Sequence, residues 1–265
     1  MIEKYIIDVF IFVLGAVVGS FLNVCIVRMP HTQSIVYPGS HCVHCKKPIL
    51  WYDNIPLLSY IFLGGKCRFC KKKISFRYFI VELVTAVSFL IFYRHFGFDI
   101  ILWPYLLMLC GFIIATFVDM EHRIIPDEIS VGGIVVGIIL SALIPELHDT
   151  SLWTVGLWRS LLGVLIGGGA IYAMGLLGDF IFKKESMGGG DVKLLAMMGA
   201  FLGWQMAVLT FFVAPIFGAL AGIIIKIRTK ESVIPYGPFL VIGALVSLFW
   251  AEPIVQWILS GYGLN

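Results

Sequence analysis

Two carboxylates and four thiols are the side chains in this 265-residue chain whose type and spacing could do chemistry. Asp119 ends an apolar run in Thr116-Phe117-Val118-Asp119, and Asp191 follows Met187-Gly188-Gly189-Gly190 and opens another. Ionisable groups at membrane depth are costly and mark function by default. Two close carboxyls cannot both ionise cheaply, so one keeps a proton while the other acts as base. Such a pair hydrolyses peptides without a covalent intermediate: the base takes a proton from water, and the acid protonates the carbonyl oxygen and then the leaving amine. Gly188 to Gly190 permit backbone geometries closed to other residues, which lets the chain approach a neighbouring helix and aim Asp191 inward. Ion-coupled transporters also use acid pairs, but place them near the midplane, whereas these two stand at the ends of apolar runs. Lys193 either biases which carboxyl holds the proton or snorkels to the interface.

The remaining acids read differently. Glu121, Asp127 and Glu128 share a loop with Asp119, and Asp127, after Pro126, reads as an N-cap. Glu82 falls near the end of an apolar run, where it could meet Arg28 or Arg77 or be functional. Asp179 reads as interfacial, and Asp8 and Asp99 as distant from the chemistry.

The thiols form two CxxC pairs, Cys42-Val-His-Cys45 and Cys67-Arg-Phe-Cys70, separated by residues 46–66. That spacing, slightly longer than the common four-cysteine pattern, presents four thiolates for a closed tetrahedral site of the kind zinc prefers. In an oxidising compartment the same residues would be disulfides, so topology decides. His31, His41 and His44 are nearby substitutes, but four cysteines already fill a site. Cys25 and Cys110 lie in apolar runs and read as buried small residues.

These groups need elements to position them, and composition says which. Hydrophobic residues make up 60% of the chain, charged residues 13%, and mean hydropathy is +0.97. Soluble domains carry about 25% charged residues, so a soluble enzyme, a disordered chain and a nucleic-acid-binding protein are excluded. Each spanning helix needs roughly 20 apolar residues. Apolar runs near 6–27, 79–93, 100–118, 129–144, 159–182, 192–203, 206–225 and 238–260 predict an all-α polytopic membrane protein of about eight spans, with a small zinc-stapled insert (28–78) between the first two. The sixth and seventh runs are split only by Gly203-Trp204-Gln205, and the connection 145–158 holds no Lys or Arg. Gly15-Ala-Val-Val-Gly19 predicts close helix packing.

Of the 19 Lys and Arg, all but Lys4, Arg94 and Arg159 fall in one set of alternate connections: 28–78, 119–128, 183–193 and 226–231. The positive-inside rule makes that set cytoplasmic and the N-terminus external. Both aspartates then lie at the cytoplasmic face, disulfides are disfavoured, and a metal is the expectation for the cysteines. The N-terminus, with Glu3 and Asp8 and an unbroken run to Val27, does not read as a cleavable signal. The basic insert would meet anionic lipid headgroups, or dock an acidic partner.

Taken together, the motifs resemble those of the bacterial type IV prepilin leader peptidases that are also N-methyltransferases. The resemblance rests on Gly19-Ser-Phe-Leu-Asn-Val24, Arg28-Met-Pro30, both CxxC pairs, Trp51-Tyr-Asp-Asn-Ile-Pro-Leu-Leu-Ser-Tyr60, Gly65-Lys-Cys67, Ile74-Ser-Phe-Arg77-Tyr with Glu82, Asp119 with Ile125-Pro126-Asp127, Gly188-Gly-Gly-Asp191-Val-Lys193 and Pro235-Tyr-Gly-Pro238-Phe. It implies a GxGD-type aspartic endopeptidase of the inner membrane, with Asp119 and Asp191 as catalytic pair. The substrates would be prepilins and prepilin-like proteins, cut after a glycine to remove a short basic leader. The new N-terminus would then be methylated from S-adenosylmethionine, a step to which the insert and Gly65 are linked. Some members cut without methylating; the intact cysteine insert favours both steps here. The expected organisation is a hairpin with its insert over residues 1–93 and a peptidase bundle over 94–265. Glu121, Asp127 and Glu128 would attract a basic leader.

Overall fold

The computed structural model describes residues 2–183, 188–229 and 234–261. Lys184, Met187 and Lys230 lie outside the described residues, as do the side chains of Asp179, Lys226 and Arg228. Regular structure among the described residues is helical, apart from isolated bridges pairing His41 with Pro48 and Lys66 with Lys73. The helices are α1 (Ile2–Arg28), a short α2 (Leu58–Phe62), α3 (Phe76–Phe96), α4 (Leu102–His122), α5 (Asp127–Leu143), α6 (Trp153–Phe182), α7 (Gly189–Thr229) and α8 (Gly237–Gly261). Contacts divide the chain into two compact units, Met1–Ile114 and Ala115–Asn265.

Among the described residues, six helices are long and apolar enough to cross a membrane: α1, α3, α4, α6, α7 and α8. The sequence divides its apolar stretches into eight, and two features account for the difference. α5 has only 17 residues. The stretches 192–203 and 206–225 fall within α7, in which two helices meet at a kink at Gly203, whose φ of 80° and ψ of 172° are not helical; the kink lies where the sequence divides the two runs.

In the first unit α1 lies on α3 along a glycine seam. A Cβ at Gly15 would stand 2.8 Å from the Ala86 Cα, and one at Gly19 would stand 2.8 Å from the Glu82 Cα. Small residues let membrane helices approach this closely, as the GxxxG spacing predicts. The seam is pinned at both ends, by Asp8 paired to Arg94 at 2.6 Å and by Asn23 donating to the Tyr78 carbonyl at 3.0 Å. On α1, Ile6, Phe10, Val13, Val17 and Phe21 form an exposed stripe at helical spacing, and Ile11, Leu22 and Ile26 are buried opposite. A helix that is apolar on both faces suits a hydrocarbon surrounding.

Within the insert, Arg28 donates to the carbonyls of Ser34 and Gly39 at 2.9 and 3.3 Å. Glu82 Oε2 accepts the Leu57 N–H at 2.7 Å, which ties the insert to α3. Leu57 is held at φ 63°.

In the second unit α6 and α7 meet at Gly163 and Gly199, where a Cβ on either would fall 2.0 Å from the other's carbonyl oxygen. The Gly203 break falls in the turn that would pair Ala200 with Trp204 in a regular helix. The Ala200 carbonyl instead accepts the hydroxyls of Ser141 on α5 and Ser160 on α6, at 3.0 and 2.8 Å. Ser141 Oγ also bonds Nε2 of buried His148 at 2.9 Å, and Arg159 donates to the His148 carbonyl.

Burial, and secondarily the Arg159 charge, push His148 down to about 4. The unfolded imidazole titrates near 6.5. Between about pH 4 and 6.5 the unfolded chain therefore binds a proton that the folded chain refuses. This contribution is complete above about 6.5 and is lost as pH falls toward 4. Thermal unfolding in detergent should show stability rising across that window in the wild type, with a shallower slope in His148→Gln. Identical slopes would rule out His148 as the titrating group.

Candidate active site and cysteine cluster

Asp119 stands one turn before the end of α4 and is 6% exposed. Its Oδ2 accepts the backbone N–H of Gly237, at the start of α8, at 2.9 Å. Asp191 is in the first turn of α7 and half-buried, and its N–H donates to the Gly188 carbonyl at 3.1 Å. The two carboxyls are close enough to act on one another electrostatically. The glycine run brings them together: a Cβ at Gly190 would stand 3.2 Å from the Ile125 Cβ, on the segment that follows Asp119. Arg123, at φ 57°, turns the chain between α4 and that segment. Tyr236 completes the surroundings; burial, with the Asp191 charge second, pushes its phenol up to about 12, so it stays protonated.

The neighbouring acids separate by exposure. Glu121, Asp127 and Glu128 are exposed, and only Asp119 in this segment is buried. Asp127 is not the N-cap expected of it: Pro126 occupies that position, and Asp127 begins α5 and pairs with Lys193 at 2.7 Å. That pairing directs the Lys193 ammonium to a surface partner. The contribution of Gly237 is absent from the sequence reading. Its only local signal is Pro235-Tyr-Gly-Pro238, a turn between apolar runs.

In the first unit the sulfurs of Cys42, Cys45, Cys67 and Cys70 all lie within 4.8 Å of one another. Cys42 is 3.8 Å from Cys70, and Cys45 is 4.0 Å from Cys67. A tetrahedral ion with metal–sulfur bonds of about 2.3 Å separates its sulfurs by about 3.8 Å, so the four thiols could hold a metal. A disulfide needs about 2.05 Å, and the six cysteines are free thiols.

Two copies of one short turn build the cluster. In Cys42-x-x-Cys45-Lys-Lys47 the Lys46 N–H donates to the Cys42 carbonyl, and the Cys42 N–H to the Lys47 carbonyl. Cys67-x-x-Cys70-Lys-Lys72 repeats both bonds with Lys71 and Lys72. Lys46 and Lys71 share left-handed φ values of 58° and 59°. Desolvation raises Cys42, but the N–H groups of Cys45 and His44 and the neighbouring thiols outweigh it and bring it to about 6, toward the thiolate a metal requires.

Gly65 immediately precedes the second turn. With Tyr60, Ile61, Gly64, Phe76 and Phe79 it lines an open depression of ≈ 210 Å³. Gly65 has φ 64°, and a Cβ there would meet the Tyr60 hydroxyl at 2.8 Å.

Two family models match the chain. One, described as the bacterial peptidase A24 N-terminal domain, covers residues 13–96; the other, the type IV leader peptidase family, covers 106–223. A prepilin leader peptidase/N-methyltransferase of Pseudomonas aeruginosa is 34% identical over 280 residues, 95% of this chain and 93% of the relative. One from Legionella pneumophila is 34% identical over 91% of this chain and 90% of the relative. One from Myxococcus xanthus is 39% identical over 84% of this chain, a match spanning 64% of that relative. No solved structure matches. The chain belongs to the type IV leader peptidase family. It is a multi-pass membrane protein.

Elemental analysis of the purified chain should find one equivalent of metal. The double variant Cys45→Ser/Cys67→Ser, which leaves one thiol in each turn, should have lost it and should be cut faster by protease within 28–78. Unchanged metal content would place the ion elsewhere.

Proposed function

We propose that this chain is a membrane aspartic endopeptidase. It removes the basic leader of type IV prepilins and prepilin-like proteins after a glycine and then methylates the new N-terminus. The observation that carries the reading is the one buried acid of the 119–128 segment, Asp119, held by a backbone N–H beside Asp191. Water between the two carboxyls would lose a proton to one as it attacks the scissile carbonyl. The other would protonate the carbonyl oxygen and then the departing amine. Both aspartates stand at helix ends rather than at mid-helix, the depth at which a membrane-anchored substrate presents its leader junction.

The distribution of Lys and Arg supports a cytoplasmic position for that pair and an external N-terminus in a bacterial inner membrane. Zinc is the metal that best suits four thiols at tetrahedral separation. It would staple an insert that has little core of its own, leaving the basic surface to anionic lipid. Catalysis by Asp119 and Asp191, and a methylation role for the 28–78 insert, belong to the same proposal.

S-adenosylmethionine, when bound, would supply an electrophilic methyl group to the freed amine. The residues offered to it are Gly65 and the aromatic trio Tyr60, Phe76 and Phe79, whose ring centroids lie 5.6–6.1 Å apart and whose faces could meet a sulfonium cation.

Intact-mass analysis of a prepilin incubated with the enzyme in lipid tests both steps. Wild type should remove the leader, and add one methyl only when the donor is present. Asp119→Asn and Asp191→Asn should each lower cleavage by about four orders of magnitude, as loss of a triad residue does elsewhere. Cleavage that survives either substitution would overturn the dyad. Leader loss with no methyl gain would remove the second activity.

A further inference from the structure

The Asp119 carboxylate is held by a backbone group, and the local sequence leaves that group free for it. At the start of α8 the N–H groups of Phe239 and Leu240 both donate to the Tyr236 carbonyl, at 3.0 and 3.2 Å. Pro238 has no N–H. The amide of Gly237 remains, and it donates to Asp119 Oδ2 at 2.9 Å across 118 residues of sequence. The same residue leaves no room for a side chain: a Cβ on Gly237 would stand 2.8 Å from Oδ2 and 3.3 Å from Cγ of Asp119.

We propose that Gly237 is a positioning residue for the carboxyl pair, its N–H selecting the Asp119 oxygen that carries no proton and its missing side chain setting the carboxyl's place. The inference rests on the dyad reading above. An N–H can only donate, and a carboxylate oxygen is a stronger acceptor than a carboxyl hydroxyl, so the bond disfavours a proton on the oxygen it meets. The proton shared by the pair is thereby favoured on Asp119 Oδ1 or Asp191. The amide also fixes the rotation of the Asp119 carboxyl, which decides where the attacking water can sit. Both effects act on the reacting pair rather than on substrate affinity.

Two variants separate the effects. Replacing residue 237 by glycolate, through nonsense suppression, turns the amide into an ester and removes the N–H without adding a side chain. Loss of a hydrogen bond to a charged acceptor should lower kcat at least about tenfold. Gly237→Ala keeps the N–H and pushes the carboxyl, and a displacement of this size should lower kcat about 100-fold. In both, KM for prepilin and the melting temperature in detergent should stay near wild type. Asp119→Asn and Asp191→Asn are run alongside. If they remain active, the dyad reading itself fails. If they are inactive while both Gly237 variants keep wild-type kcat, the dyad stands and the positioning role is overturned. Parallel losses in kcat, KM and melting temperature would also overturn it, since they would mark Gly237 as a packing residue only.

Discussion

A carboxylate buried at the end of a membrane helix must be met by a donor, and this requirement shapes the second unit. An unpartnered charge in a low-dielectric site costs several kcal/mol, and the strong donors to a carboxylate elsewhere are Arg and Lys side chains. The donor is instead a helix N-terminus, where the first N–H groups have no partner in their own helix. A backbone amide does not ionise at ordinary pH and has no rotamer to change. It therefore holds the carboxylate without competing in acid–base chemistry. A lysine or arginine in its place would have added a further mobile charge beside the pair, in addition to that of Arg123, which already acts on Asp119. The Lys193 ammonium, two residues from Asp191, is directed to Asp127 instead.

The position of Asp191 depends on α7, and α7 is held by close backbone contact rather than by bulk. Lipid tails are as apolar as the helices, so association has to come from van der Waals fit and hydrogen bonds. Gly163 against Gly199 supplies the fit. Ser141 and Ser160, converging on the Ala200 carbonyl, supply the hydrogen bonds where the helix is interrupted. A break in a membrane helix is tolerable only where its backbone groups find partners inside the protein. The break at Gly203 and the two serines are thus one feature, and His148 joins it through Ser141. The glycine run before Asp191 uses the same physics at the other end of α7, bringing Gly190 onto Ile125.

What could be read in the sequence is what leaves a local trace. Apolar runs reveal helices, a four-residue glycine spacing reveals the α1–α3 seam, and paired CxxC turns reveal a four-thiol cluster. The buried acid was visible because Asp119 interrupts an apolar run, but its separation from exposed Asp127 was visible only as a difference in flanking residues. Contacts between distant segments leave no period. Gly237 reaching Asp119, Glu82 accepting the Leu57 amide and Lys193 meeting Asp127 all join residues far apart in the chain. The break in α7 did leave a trace: Gly203-Trp204-Gln205 separates two apolar runs, and two helices meet at a kink there.

The two units solve the same problem with different chemistry. Around the aspartates, apolar helices supply ample packing surface, and precision comes from glycines and one amide. The insert has few buried side chains among its described residues, Cys42 and Cys67 being two of them. A segment with so little core needs another source of order. Its two matching cysteine turns face one another, Cys42 lying 3.8 Å from Cys70 and Cys45 4.0 Å from Cys67. A metal bound there joins the turns to each other, not merely the two cysteines within each. Because Gly65 abuts the second turn and Glu82 anchors Leu57 ahead of it, order imposed at the cluster passes directly to the ring-lined depression between them. Loss of the ion would therefore be felt first at Tyr60 and Gly65.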